Sequence, residues 1–175
     1  MVIISRYEII FNSRGEYAVK SVNPSICPIC GGSLFVRDSR LRICIREDGH
    51  TVFYRIRRLR CKECAKIHTE LPDCIMPFKR YGAACVENAV DGHNICPAEE
   101  STVRRWKRWL QTRSGVFEEM LTAQWQNQHL RPANILSAPL FFQELRNAGA
   151  GWLSKLTRHI VNCGYGLHTC FAFCP

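Results

Sequence analysis

The 175-residue sequence predicts an α+β protein, antiparallel β-structure first and an all-α helical region after it. Three observations lead there. Two Cys-x-x-Cys pairs, Cys27-Pro28-Ile29-Cys30 and Cys61-Lys62-Glu63-Cys64, stand thirty residues apart. The gap between them is filled by period-two alternation and tight-turn signals. Beyond Met76-Pro77 the apolar residues recur at helical spacing instead.

Four thiolates in two knuckles close a tetrahedral shell around one ion, so the doubled motif predicts one structural Zn²⁺ on Cys27, Cys30, Cys61 and Cys64. Gly31 follows the first knuckle, where the chain needs a positive φ. Ala65 holds the equivalent second position and fits it less well. A thioredoxin-like site would pair one such motif with a βαβ pattern, and none is visible. Iron fits the same four-sulfur cage, and spacing does not separate the two metals. The expected unit is a zinc ribbon over residues 23–80, and a region of about 40 residues usually needs a metal or another crosslink to stand alone.

Residues 1–22 read as an extended arm or hairpin, β-prone around Ile3, Ile4, Tyr7, Ile9 and Ile10, with a turn at Asn12-Ser13-Arg14-Gly15. Ser33 to Arg37 suits a short strand after the first knuckle. Leu41, Ile43 and Ile45 then alternate with Arg40, Arg42 and Arg46, as in a half-buried strand. Asp48-Gly49 signals a hairpin. The return strand, Thr51 to Arg60, alternates until Arg57-Arg58, where the period slips as at a bulge. Leu71-Pro72 and Met76-Pro77 end the β-region.

Residues 81–114 read as a helix-turn-helix-like pair. Ala84, Cys85, Asn88 and Ala89 have helical spacing, and Gly92 is a stop. Pro97-Ala98-Glu99-Glu100 suits a first helical turn, and Ser114-Gly115 an end. Residues 115–175 are a C-terminal helical region without a role legible in sequence, with segments at 116–129, 139–147 and 152–161.

The formal charge is +9, and it is clustered. From Arg37 to Arg80 there are twelve Lys/Arg against six Asp/Glu, and from Ser101 to Arg113 five basic residues and no acid. The remainder is net negative. Such clustering points to a polyanion, here double-stranded DNA, although a basic face is otherwise simply a solvated one. Arg55, Arg57, Arg58 and Arg60 put four guanidinium groups beside the metal, about half for phosphate and about half to neutralise the zinc–thiolate charge. In the later cluster Val103, Trp106 and Leu110 form an apolar stripe, leaving Arg104, Arg105, Lys107 and Arg108 for a DNA backbone or groove. An ordinary amphipathic helix with Trp in the core gives the same pattern.

Catalytic signatures are missing. There is no Gly-rich phosphate loop, no nucleophile elbow and no His-Glu-x-x-His pair. Four Asp and few late Glu are too little for a two-metal nuclease core. The expectation is no enzyme. No secretory signal or membrane span is visible, which suggests a cytoplasmic protein with reduced thiols. Cys44, Cys74, Cys85 and Cys96 read as single buried thiols, and His50, His68, His93 and His129 as structural or exposed. Cys163, Cys170 and Cys174 with His159 and His168 offer metal donors, but their gaps match no standard knuckle.

Residues 27–72, with CPICGG, RDSR, YRIRRLRCKEC and HTELP, resemble the zinc-ribbon region at the front of bacterial insertion-sequence transposases. ESTVRRWKRW is similar to the helix-turn-helix that follows in such proteins. The whole chain resembles a family of uncharacterised short bacterial proteins, associated with mobile elements, that keep ribbon and helix without the nuclease. The resemblance implies Cys27, Cys30, Cys61 and Cys64 as zinc ligands and the helix of Arg104 and Arg105 as a DNA reader. Only eight residues separate Gly92 from Ser101, so a two-helix hairpin can replace the full motif. The reading is a non-enzymatic, zinc-dependent DNA-binding protein, a regulator or remnant of a mobile element. Its competitors are a zinc-ribbon adaptor whose Trp-rich helices meet a protein partner or a second copy, and a subunit of a nucleic-acid enzyme.

Overall fold

The computed structural model describes residues 1–93, 96–129 and 141–167. Six strands, β1 (Val2–Ile4), β2 (Tyr7–Phe11), β3 (Tyr17–Ser21), β4 (Leu34–Ile45), β5 (Thr51–Cys61) and β6 (Ile67–Pro72), form one curled mixed sheet. Four helices follow among the described residues: α1 (Ala83–Asp91), α2 (Glu100–His129), α3 (Phe141–Asn147) and α4 (Trp152–Asn162).

This corrects the expected fold class. The β-half is not a freestanding antiparallel ribbon, and the helices are not a separate all-α region. β5 lies at the centre, with β4 antiparallel along one edge from Leu34↔Cys61 to Ile45↔Thr51. Its other edge is shared: β6 pairs antiparallel at Arg58–Arg60, and β3 pairs parallel at Tyr17↔Tyr54 and Ala18↔Arg55. β1 runs parallel to β6 in register Val2↔Glu70, and β2 closes the far side beside β3.

β1 is what joins the two halves. By strand alternation Val2 and Ile4 face one core with Val19, Tyr54, Ile56 and Leu71, while Ile3 faces the helical core. Asn162, the last residue of α4, accepts a hydrogen bond from the Ile3 amide and donates one to the Ile3 carbonyl, each at 2.8 Å. A side-chain amide thus substitutes for a neighbouring strand.

The hairpin is as its sequence suggests. β4 is one continuous strand, and three residues, Glu47, Asp48 and Gly49, turn the chain between paired Arg46 and His50. The register slip occurs where the alternation broke, but the extra residue sits opposite, between Val36 and Asp38 of β4. It switches β5 from burying Tyr54 and Ile56 to burying Leu59 and Cys61.

Carboxylates organise the helical half. Glu87 of α1 is buried and accepts from the Gly151 and Leu153 amides at 2.6 and 2.8 Å, capping α4. Glu118 of α2 caps α3 through the Phe141 and Phe142 amides at 2.7 and 2.8 Å. Asp91 accepts from Trp152 Nε1 at 2.8 Å and from both Nε and Nη2 of Arg146.

α2 passes through Ser114-Gly115 without a break, contrary to the expected stop. Packing overrides propensity: Trp109, Phe117, Phe142 and Trp152 form a row of edge-to-face and tilted aromatic contacts with centroids 5.6 to 6.2 Å apart, spanning both sides of the glycine. Gly115 is exposed, and a Cβ added there meets nothing within 4 Å. Gly115→Ala should therefore stabilise the protein by about 1 kcal/mol, a rise of about 2–4 °C in Tm by calorimetry. No helix among the described residues is long and apolar enough to cross a membrane.

Candidate metal centre and basic helix face

The first knuckle is made by the turn before β4. The Cys27 amide donates to the Gly32 carbonyl and the Gly31 amide to the Cys27 carbonyl, both at 2.9 Å. Gly31 takes φ +74° to allow this. The second knuckle repeats the design at the end of β5: the Cys61 amide donates to the Lys66 carbonyl at 2.9 Å, and Ala65 adopts φ +57°. The left-handed position expected of Ala65 is thus real, at a strain of order 1 kcal/mol that glycine would avoid.

Pairing of Leu34 with Cys61 brings the two turns together. The four sulfurs all lie within 4.8 Å of one another, Cys27–Cys64 at 3.7 Å and Cys30–Cys61 at 3.5 Å. A tetrahedral thiolate shell with bonds of about 2.3 Å sets its sulfurs about 3.8 Å apart. The cluster fits that shell, so these four cysteines can hold a metal ion. Cys30 is exposed and Cys27 and Cys61 are buried, so the site lies just beneath the surface.

The free thiols are electrostatically unequal. Burial pushes Cys27 up, but the Cys30 and Ile29 amides and the neighbouring sulfurs outweigh it and bring the thiol down to about 7. Burial, with Glu63 and Cys30, pushes Cys61 up to about 12. Cys61 Sγ donates to Glu63 Oε2 at 3.1 Å, over the space left open by Gly32. That contact belongs to the protonated thiol, because a metal-bound thiolate has no proton to donate. A cation that binds all four sulfurs displaces these protons.

One residue at the centre had no sequence signal. His68 of β6 is buried, with Nε2 3.3 Å from Cys27 Sγ. Burial keeps its pKa below the ordinary value, favouring neutral imidazole, which can donate to the sulfur. Only the β5–β6 pairing Leu59↔His68 reveals it. Beside it Glu70, also buried, accepts from Arg57 Nε at 2.6 Å and Ser25 Oγ at 2.7 Å, tying the approach to the first knuckle to β6. Cys163, in the C-terminal donor set, is exposed; His168, Cys170 and Cys174 lie outside the described residues.

The strand arginines are not the open cluster the sequence suggested. Arg55 makes a two-point contact with Glu16 at 2.7 and 2.9 Å, Arg57 pairs with Glu70, and Arg58 grips Asp38 through both Nε and Nη2. Among the described residues none of them bonds a ligand cysteine, and Arg60 alone of the four is exposed and forms no ion pair. Arg55 and Arg58 hold the carboxyls of Glu16 and Asp38 below their ordinary values.

Residues 27–106 match the model of a family described as a domain of unknown function, DUF6431. The match opens on Cys27, takes in all four cysteines, β4 to β6 and α1, and ends inside α2 at Trp106. It covers slightly less than half of the chain. No curated protein and no solved structure matches the chain.

The later basic cluster is intact on α2. Trp106, Trp109 and Leu110 are buried, and Val103 is only partly so. At roughly 100° per residue, Arg104, Arg105, Lys107 and Arg108 fall in an arc of about 160° opposite that buried face. All four are exposed. Arg104 stands 3.7 Å from exposed Glu100, Arg105 donates to Thr102 Oγ1 at 2.9 Å, and Lys107 and Arg108 make no ion pair among the described residues. Trp109 is buried in the core, and its ring centroid lies 5.9 Å from Lys79 Nζ.

Proposed function

We propose that this chain is a non-enzymatic, zinc-stabilised protein that binds double-stranded DNA, related to transposase DNA-recognition regions and working in a reducing cytoplasm. The observation that carries the reading is the basic face of α2, whose four cations are all exposed and make at most one loose, solvent-exposed ion pair, Arg104 with Glu100, among the described residues, whereas Arg55, Arg57 and Arg58 are held by closer carboxylates. No base-reading side chain is needed, so binding is sequence-tolerant.

An all-cysteine tetrahedral set supports zinc, one ion per chain and structural, because the shell leaves no open position for substrate. Zinc would supply the crosslink that fixes β4, β5 and β6 at their knuckle ends. Against catalysis, Glu87, Asp91 and Glu118 are committed to helix capping and ion pairing rather than converging on a shared site.

The test compares two triple variants on a random-sequence duplex at 0.1 M salt. Arg104, Arg105 and Arg108 changed together to Ala should weaken binding by more than about tenfold, because three phosphate contacts are removed. Arg55, Arg57 and Arg58 changed together to Gln should alter affinity by less than about threefold in whatever fraction remains folded. The opposite ranking would move the interface to the sheet.

A protein-partner reading is favoured by a different observation. Leu41, Ile43 and Phe53 form an exposed apolar row on the outer face of β4 and β5. Three of the tryptophans expected on such a surface, Trp106, Trp109 and Trp152, are instead buried.

A further inference from the structure

Cys85 and Cys96 were read from sequence as unrelated thiols, yet their sulfurs lie 2.8 Å apart. The metal cluster gives an internal scale. Sulfurs that share a tetrahedral ion stand about 3.8 Å apart, and those of the four-cysteine set stand at 3.5 and 3.7 Å. A 2.8 Å pair is too close to share such an ion and needs only a small approach to reach a bond of about 2.05 Å. Among the described residues, neither cysteine belongs to a group of three metal donors.

We propose that Cys85 and Cys96 are a reversible redox site that takes a small disulfide oxidant and closes into a disulfide between α1 and the segment leading into α2. The two cysteines have complementary access. Cys96 is partly exposed, whereas Cys85 is fully buried on α1, and burial pushes its thiol well up. Cys96 is therefore the entry point and Cys85 the resolving thiol.

The chemistry balances. The Cys96 thiolate attacks one sulfur of the oxidant, forming a mixed disulfide and expelling the first small thiolate, which takes up a proton. The Cys85 thiolate then attacks Cys96 Sγ, expelling the second. Two protein thiols are oxidised, and one small disulfide is reduced to two thiols. The bond would fix the lead-in to Glu100, and with it the start of the helix that carries Arg104 and Arg105. The site does not depend on the DNA-binding reading.

Trypsin isolates the pair. No Lys or Arg lies between Arg80 and Arg104, so one peptide, residues 81–104, carries Cys85 and Cys96 and no other cysteine. The zinc-loaded full chain is incubated with oxidised glutathione, alkylated and digested. The expected peptide is unalkylated and lighter than the reduced form by two hydrogen atoms, and dithiothreitol restores two alkylation sites. The oxidised chain should also melt several degrees above the reduced one, and Cys96→Ala, at the partly exposed position, should abolish that difference. Both sites alkylated after oxidation, glutathione retained on Cys96, or cross-linking of either residue to another cysteine would each overturn the proposal.

Discussion

Cys61→Ser is expected to lose the metal and most of the sheet. Cys61 ends β5, pairs with Leu34 at the start of β4 and stands 3.5 Å from Cys30 Sγ, so it is both ligand and strand terminus. Structural zinc in such sites supplies about 10–16 kcal/mol of apparent binding free energy, comparable with the whole stability of a domain. A serine hydroxyl does not replace the thiolate. The purified variant should contain less than a tenth of the wild-type metal by mass spectrometry and lose cooperative unfolding of its β-structure by circular dichroism. Cys163→Ser, at an exposed position just beyond α4, should change neither. Equal metal loss in both variants would remove the assignment.

Glu87→Ala should be the most damaging change in the helical half. The carboxylate is buried and receives the Gly151 and Leu153 amides, and α4 has no side-chain cap of its own. Truncation leaves two donors at the positive end of a helix unpaired inside the core, beside fully buried Leu153 and Trp152. The expected cost is about 3–5 kcal/mol, from two charge-assisted bonds and the desolvation no longer compensated. Glu87→Gln, which keeps an acceptor, should recover part of that. Zinc content should remain at the wild-type level in both, since the knuckles lie in the sheet. Denaturant midpoints and metal content, measured together, separate this cap from a general collapse, and a Glu87→Ala midpoint matching wild type would dismiss it.

What was legible in the sequence is what is local in the chain. Each knuckle is encoded within six residues, and the hairpin by its own alternation and Asp48-Gly49, so both were readable. The slip near Arg57 was visible too, though its extra residue falls on β4. The parallel pairs β1–β6 and β3–β5 were not readable. Val2 meets Glu70 across most of the β-half, and no local pattern specifies that partner. The arginine misreading has the same origin: Glu16, Asp38 and Glu70 lie far from Arg55–Arg58 in sequence and reach them only through the sheet. His68 became visible only with the β5–β6 register, and the Cys85–Cys96 pair only with the path from α1 to α2. Gly115 was read as a stop because its intrinsic cost is about 1 kcal/mol, which the aromatic row through Trp109 and Phe117 exceeds.

The most direct measurement is the salt dependence of duplex binding by the zinc-loaded full chain, followed by fluorescence anisotropy on a labelled random-sequence duplex. Four phosphate contacts from the α2 face predict that log K falls against log[salt] with a slope of about −4, and that an unrelated duplex of equal length gives the same line. Absence of binding at about 0.05 M salt, or an affinity independent of salt, would contradict the account.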